Sequence, residues 1–180
     1  PSRVSAVRVF TPEYAAPEQV RGEAVTTGVD VYALGLLLYQ LLTGRRPYGS
    51  AASTPAAYEQ AILTQEPLRP SRVAAQADVE NAQLAQARKL DPARLSARLR
   101  GDLDAIVLRA LRKEPAQRYA SVEAMADDVR RFLRDESVMA DPDSGLRRVT
   151  RWIGNHRGMA MALGVGLLCL SLAVLAVILW

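Results

Sequence analysis

Cysteine is almost absent from this chain. The 180 residues contain one cysteine, Cys169, which lies in an apolar stretch near the end of the sequence. One thiol can form neither an intrachain disulfide framework nor a thiolate metal site. The sequence therefore predicts no disulfide and no metal site in these residues.

Charge is absent from the last 22 residues, Met159 to Trp180, which contain no acidic, basic or histidine side chain. At about 1.5 Å per residue this run makes a helix of roughly 33 Å, enough to cross a hydrocarbon core of about 30 Å. We predict a single transmembrane helix over 158–180, with a buried core helix as the alternative. Cationic flanks stay on the cytoplasmic side of a membrane, which predicts a bacterial inner (cell) membrane protein whose preceding residues are cytoplasmic. The flanking cations are Arg147, Arg148, Arg151 and Arg157.

The stretch 146–166, which leads into this run, has two further features. Apolar positions in 146–157 recur at helical spacing against a basic face, which predicts an amphipathic helix lying on an anionic membrane surface. Small residues recur every four positions, which is typical of a close helix pair and suggests a homodimer. They are Gly154, Gly158, Ala162 and Gly166. We expect no nucleic-acid partner, because the net charge of +4 comes without a recognition motif.

Residues 1–134 predict one mainly helical domain, and the polar stretch 135–145 predicts a linker. Residues 1–28 suggest an ordered loop, followed by a helix over about 29–43 that is apolar all round and therefore expected to be buried on all sides. Gly44 ends that helix, and Thr54 begins a second one that runs to about residue 65. Residues 71–100 predict one or two exposed helices of unknown role. Two more helices follow, one capped by Asp102 and one over about 122–133 capped by Ser121.

Three short motifs occur in a fixed order along the chain. The first is Thr-Pro-Glu-Tyr-Ala-Ala-Pro-Glu at 11–18, the second is Asp-Val-Tyr-Ala-Leu-Gly at 30–35, and the third is Lys-Glu-Pro-Ala-Gln-Arg at 113–118. In this order the chain resembles bacterial membrane-anchored serine/threonine protein kinases over about residues 11–133. The resemblance implies a protein-kinase-like C-terminal lobe that begins near the end of the activation segment, without the N-terminal lobe and the catalytic loop.

The resemblance also implies roles for single residues. Glu18 and Arg118 would form a buried ion pair, and Asp30 would accept hydrogen bonds from the catalytic loop; the simpler alternative for Asp30 is an ordinary acid in the first turn of a helix. The substrate-binding residues would be Thr11, Pro12 and Tyr14. Ser2 and Ser5 lie where such kinases carry regulatory phosphates, and the alternative is that they are ordinary loop serines.

Several parts of a kinase are missing from the sequence. We find no Gly-rich phosphate loop, no paired lysine and helix glutamate, no catalytic aspartate with its asparagine, and no metal-binding aspartate before the activation segment. We therefore predict no catalytic residue in this fragment, and expect the parent kinase to use ATP and Mg²⁺ on protein substrates. The alternative is a membrane-tethered pseudokinase or docking module. Without its missing parts the lobe should expose an apolar patch.

Overall fold

The computed structural model of the chain describes residues 14–48 and 54–140. The chain divides into two units after Asp141, and all described residues belong to the first. Within these residues the structure is helical and has no β-strand. A 3-10 turn at Pro115–Gln117 lies between the last two helices. The helices are α1 (Pro17–Arg21), α2 (Gly28–Thr43), α3 (Pro55–Thr64), α4 (Pro70–Ala74), α5 (Val79–Ala87), α6 (Pro92–Leu99), α7 (Asp102–Ala110) and α8 (Val122–Leu133).

Four of the eight helices in the described residues begin with a side-chain cap, namely those preceded by Thr54, Asp78, Asp91 and Ser121. The side chain of Thr54 accepts a hydrogen bond from the amide of Ala57 at 3.2 Å, and Ser121 does the same for α8. Gly44 ends α2 in the left-handed region at φ 70°, as predicted. The prediction for Asp102 was wrong. Gly101 precedes α7 at φ 97°, a conformation that favours glycine, and Asp102 is the first residue of the helix.

Helix α2 is the centre of the fold, and its inner face packs on α7. A Cβ atom at Gly35 would lie 2.8 Å from the Cβ atom of Ala110, so the two helices approach closely only because this position has no side chain. The core residues of this face are almost fully buried, which gives the body two adjoining apolar clusters around one helix. On α2 they are Val31, Tyr32, Leu36 and Tyr39.

The outer face of α2 corrects the sequence analysis, which expected the helix to be buried all round. Leu34, Leu37 and Leu41 are exposed, with Leu41 at 70%. They follow Asp30 at spacings of four, seven and eleven residues and therefore form one stripe along the helix. Among the described residues, apolar neighbours therefore cover α2 on one side only.

The stretch 71–100 is less exposed than predicted, because its three helices form an apolar cluster of their own. Ala74, Ala85, Leu95 and Leu99 are buried together, and Leu84 packs against them. Arg88, just after α5, donates hydrogen bonds to the carbonyl oxygens of Leu41 and Leu42 at the end of α2. The stretch therefore closes the C-terminal end of the central helix.

Two predicted segments lie outside the described residues, namely the amphipathic helix at 146–157 and the membrane helix at 158–180. Within residues 14–48 and 54–140, no helix has both the length and the apolar character that crossing a membrane requires. The predicted membrane helix stays a prediction.

Candidate functional site

Glu18 lies in the first turn of α1, a short helix whose start is closed by its own side chains. Pro17 occupies the first position, and the side-chain oxygen of Gln19 accepts a hydrogen bond from the amide of Ala16 at 2.9 Å. This turn aims the Glu18 carboxylate into the body, where the residue is only 2% exposed. A carboxylate so deeply buried requires a charged partner.

Arg118 is that partner. Its Nη1 and Nη2 atoms each donate to one oxygen of Glu18 at 2.7 Å, so the pair is bidentate. The same guanidinium donates to three backbone carbonyl oxygens, those of Arg112, Gly28 and Lys113. All five of its N–H groups therefore have an acceptor, the condition under which a buried ion pair is stable.

The surroundings of the pair set its charge state. Burial by itself raises the pKa of Glu18, but the hydrogen bonds and the positive charge of Arg118 outweigh burial and hold this pKa below its ordinary value. The ring of Tyr32 lies against the other side of the guanidinium, with its centroid 4.9 Å away. The pair thus joins the start of α1, the start of α2 and the turn before α8, three segments far apart in sequence.

Asp30 lies in the first turn of α2, a position that both the catalytic-loop anchor and the ordinary helix acid would occupy, and its side chain is exposed. It stands at one end of the stripe formed by Leu34, Leu37 and Leu41. A carboxylate and three leucines along an unpaired helix face can accept a further segment of polypeptide, through hydrogen bonds at one end and apolar contact along the rest.

Of the other predicted site residues, only Tyr14 lies in the described part of the chain. Tyr14 is half-buried and packs on the same apolar cluster as Tyr32. Thr11 and Pro12, which were assigned to substrate binding with it, lie outside the described residues, as do the proposed phosphosites Ser2 and Ser5. The four small residues of the proposed dimer face are also outside. In residues 14–48 and 54–140, no three His, Cys, Asp or Glu side chains cluster in a way that could hold a metal ion.

Comparison with known families decides the classification. The family model described as "Protein kinase domain" matches residues 2–129, which is most of the chain. This chain belongs to the protein kinase family. Its curated relatives place it with the bacterial serine/threonine type. The kinase-like fold and the kinase ancestry predicted from the motifs are confirmed at this level.

Three relatives illustrate the match. The chain is 37% identical to the serine/threonine-protein kinase PksC of Streptomyces coelicolor over 136 residues, covering 76% of this chain and 20% of the relative. It is 35% identical to the serine/threonine-protein kinase pkn3 of Myxococcus xanthus over 138 residues, 77% of this chain and 21% of the relative. It is 34% identical to the serine/threonine-protein kinase PknB of Mycobacterium tuberculosis over 132 residues, 73% of this chain and 17% of the relative. The chain thus spans about a fifth of the length of these proteins, and the pseudokinase alternative finds no support in their names.

Sequence reasoning missed two polar centres of this kinase lobe. Lys113 donates to the hydroxyl of Tyr48 at 2.8 Å and to the carbonyl of Ile62, and Tyr48 shares a hydrogen bond with Tyr32. Asp104 accepts two hydrogen bonds from Ser71. Lys113 begins the motif that predicts the ion pair of Arg118, and Asp104 lies two residues after the predicted cap Asp102. Neither residue carries a sequence signal of burial.

Proposed function

We propose that this chain is part of a bacterial serine/threonine protein kinase that transfers the γ-phosphate of ATP to serine and threonine hydroxyls of proteins. The observation that carries the proposal is the bidentate pair of Glu18 and Arg118, inside a stretch that matches the kinase family. In kinases this pair fixes the end of the activation segment to the lobe. The chain supplies the substrate-side and structural elements of that enzyme.

The outer stripe of α2 supports the same proposal. Asp30 with Leu34, Leu37 and Leu41 offers a carboxylate and an apolar strip on the helix that would carry the catalytic loop. The ATP and Mg²⁺ of the reaction would be bound by residues of the parent protein that are not among these 180. No step of the transfer is therefore assigned to a residue of this chain, and the role of Asp30 is to position.

We further propose that the parent kinase is anchored in the bacterial inner membrane by residues 158–180, with the kinase part in the cytoplasm. The support is the run of 22 uncharged residues after a cluster of arginines. Dimerisation through the small residues at 154–166 and phosphorylation at Ser2 or Ser5 belong to this proposal as modes of regulation. The membrane part is tested by fractionation: the parent protein should stay with the membranes in alkaline carbonate and leave them when 158–180 is deleted.

The catalytic part is tested by phosphate transfer from labelled ATP in the presence of Mg²⁺. The full-length parent protein should label peptides that contain serine or threonine as the only hydroxyl residue, and not peptides that contain only tyrosine. Asp30→Asn in that protein should lower the rate by about 10²-fold, because the loop it positions is displaced.

Asp127→Asn is the matched control. Asp127 is an exposed aspartate whose ion pair with Arg130 is also exposed, so its loss should leave the rate unchanged. Absence of any labelling, or equal rates for Asp30→Asn and Asp127→Asn, would contradict the proposed function.

A further inference from the structure

Residues 136–140 lie beyond the end of the family match at residue 129, yet they pack back onto the lobe. We refer to these five residues as the clasp. Val138 is 2% exposed and belongs to an apolar cluster with side chains of α7 and α8. Residues that the sequence assigns to a linker therefore contribute to the core.

A buried carboxylate on α8 holds the clasp. Asp128 is 1% exposed and accepts hydrogen bonds from the backbone amides of Met139 and Ala140, at 2.6 and 2.8 Å. Its third donor is the hydroxyl of Tyr119, at 2.8 Å. If the clasp leaves, Asp128 loses two of these three protein donors, and water must replace them.

Tyr119 connects the clasp to a second contact. The guanidinium of Arg109 lies 4.6 Å from the centre of the Tyr119 ring, and the same side chain donates to the carbonyl oxygen of Met139 at 2.9 Å. Tyr119 is thus held at its hydroxyl by Asp128 and at its ring by Arg109, both of which also bind the clasp. The two residues that contact the hydroxyl and the ring face of Tyr119 are therefore the same two that bind the clasp.

Tyr119 is the next residue in the chain after Arg118, whose five hydrogen bonds hold Glu18 and the start of α2. A bidentate pair with donor and acceptor atoms 2.7 Å apart tolerates little displacement of either partner. A shift of the Tyr119 backbone consequently reaches the pair through a single peptide unit.

We propose that the clasp is a conformational device that couples the point where the chain leaves the kinase lobe to the Glu18–Arg118 pair. With the clasp docked, Tyr119 is fixed and Arg118 keeps its five acceptors. With the clasp undocked, Tyr119 relaxes, Arg118 is held less well and the end of the activation segment loosens. The clasp itself is the part that has two states, docked and undocked. A change at the chain exit or at the Glu18–Arg118 pair shifts the balance between these states.

The test is amide hydrogen exchange of the 180-residue chain, read by mass spectrometry. Val138→Ser should undock the clasp, because it places a hydroxyl in an apolar site. We expect about tenfold faster exchange in peptides covering α1, whose amides depend on the Glu18 turn, and no change in peptides covering α5 and α6. Met139→Ala is the matched control: its side chain is exposed while its backbone makes the contacts, so exchange should stay as in the unaltered chain.

Two results would overturn the proposal. Faster exchange confined to residues 122–140 would mean that the clasp is not coupled to α1, and an equal increase in all peptides would mean a general loss of stability. If Val138→Ser does not fold, Asp128→Asn gives the same test, since the amide keeps the size of the side chain but cannot accept from all three donors.

Discussion

The two faces of α2 differ strongly in burial. Toward α7 the helix is closed, with Tyr32 and Val31 fully buried and Gly35 in contact with Ala110. On the opposite face Leu37 and Leu41 are exposed. One face of α2 is therefore buried in the core, and the opposite face is exposed.

This difference indicates which parts of a kinase the chain contains. The closed face is covered by side chains of α3, α4, α7 and α8, all of which are within the described residues. The open face, with Asp30 at one end, is where the proposed function requires the catalytic loop. Large apolar side chains left open in this way promote self-association.

The largest effect should come from breaking the closed face at Arg118. Arg118→Ala leaves Glu18 buried without its partner, so we expect the free energy of unfolding to fall by about 3 to 5 kcal/mol. Denaturant unfolding of residues 1–140 measures it. The control is Arg112→Ala, an exposed arginine that offers only its backbone carbonyl to Arg118 and should cost less than about 0.5 kcal/mol. Equal losses in the two variants would show that the pair adds nothing.

The next effect should come from filling the contact between α2 and α7. Gly35→Val places methyl groups where even a Cβ atom would be 2.8 Å from Ala110, and we expect a loss of about 3 kcal/mol in the same measurement. Leu37→Val, on the open face of the same helix, should change stability by less than about 1 kcal/mol. If both variants unfold alike, the two faces do not differ as described.

A smaller effect on stability, but a visible one on solubility, is expected on the open face. Leu37→Gln with Leu41→Gln should alter the free energy of unfolding by less than about 1 kcal/mol, because both side chains are already exposed. Light scattering of residues 1–140 should show less self-association than the unaltered sequence. Unchanged scattering would argue that the stripe is not the surface through which the fragment associates.

The smallest effect concerns pH and the closed face. Burial lowers the pKa of Lys113 to about 8, from 10.5 for a free lysine, so between these values the unfolded chain binds more protons and stability rises with pH. Above about pH 10 the buried tyrosines oppose this, since burial raises the pKa of Tyr32, Tyr48 and Tyr119 and the unfolded chain loses their protons first. Between about pH 8 and about pH 10, the free energy of unfolding should rise less steeply with pH for Lys113→Met than for the original chain. Parallel curves would refute the assignment.

The sequence predicted those features that depend on local chemistry or on recognisable motifs. The caps at Thr54 and Ser121 and the helix end at Gly44 follow from hydrogen bonding within one turn. The structure also brings together Glu18 and Arg118, which the family motif paired across a hundred residues of sequence.

Other features could not be read from the sequence, because they depend on what lies next to a residue in space. The leucines of α2 look alike in sequence, and only the neighbouring helices decide which of them are covered. Residues 136–140 read as a polar linker, yet the amides of Met139 and Ala140 find a buried acceptor in Asp128. Backbone donors carry no sequence signal, so such a contact becomes visible only in the folded chain.

The most direct test of this account is a double-mutant cycle on the pair, with Glu18→Gln, Arg118→Met and both together, measured by denaturant unfolding. We predict that the double variant is more stable than the sum of the two single losses would give, with a coupling energy of about 2 kcal/mol or more, because removing both charges leaves neither one buried alone. Losses that simply add would contradict the claim that this ion pair ties the end of the activation segment to the kinase lobe.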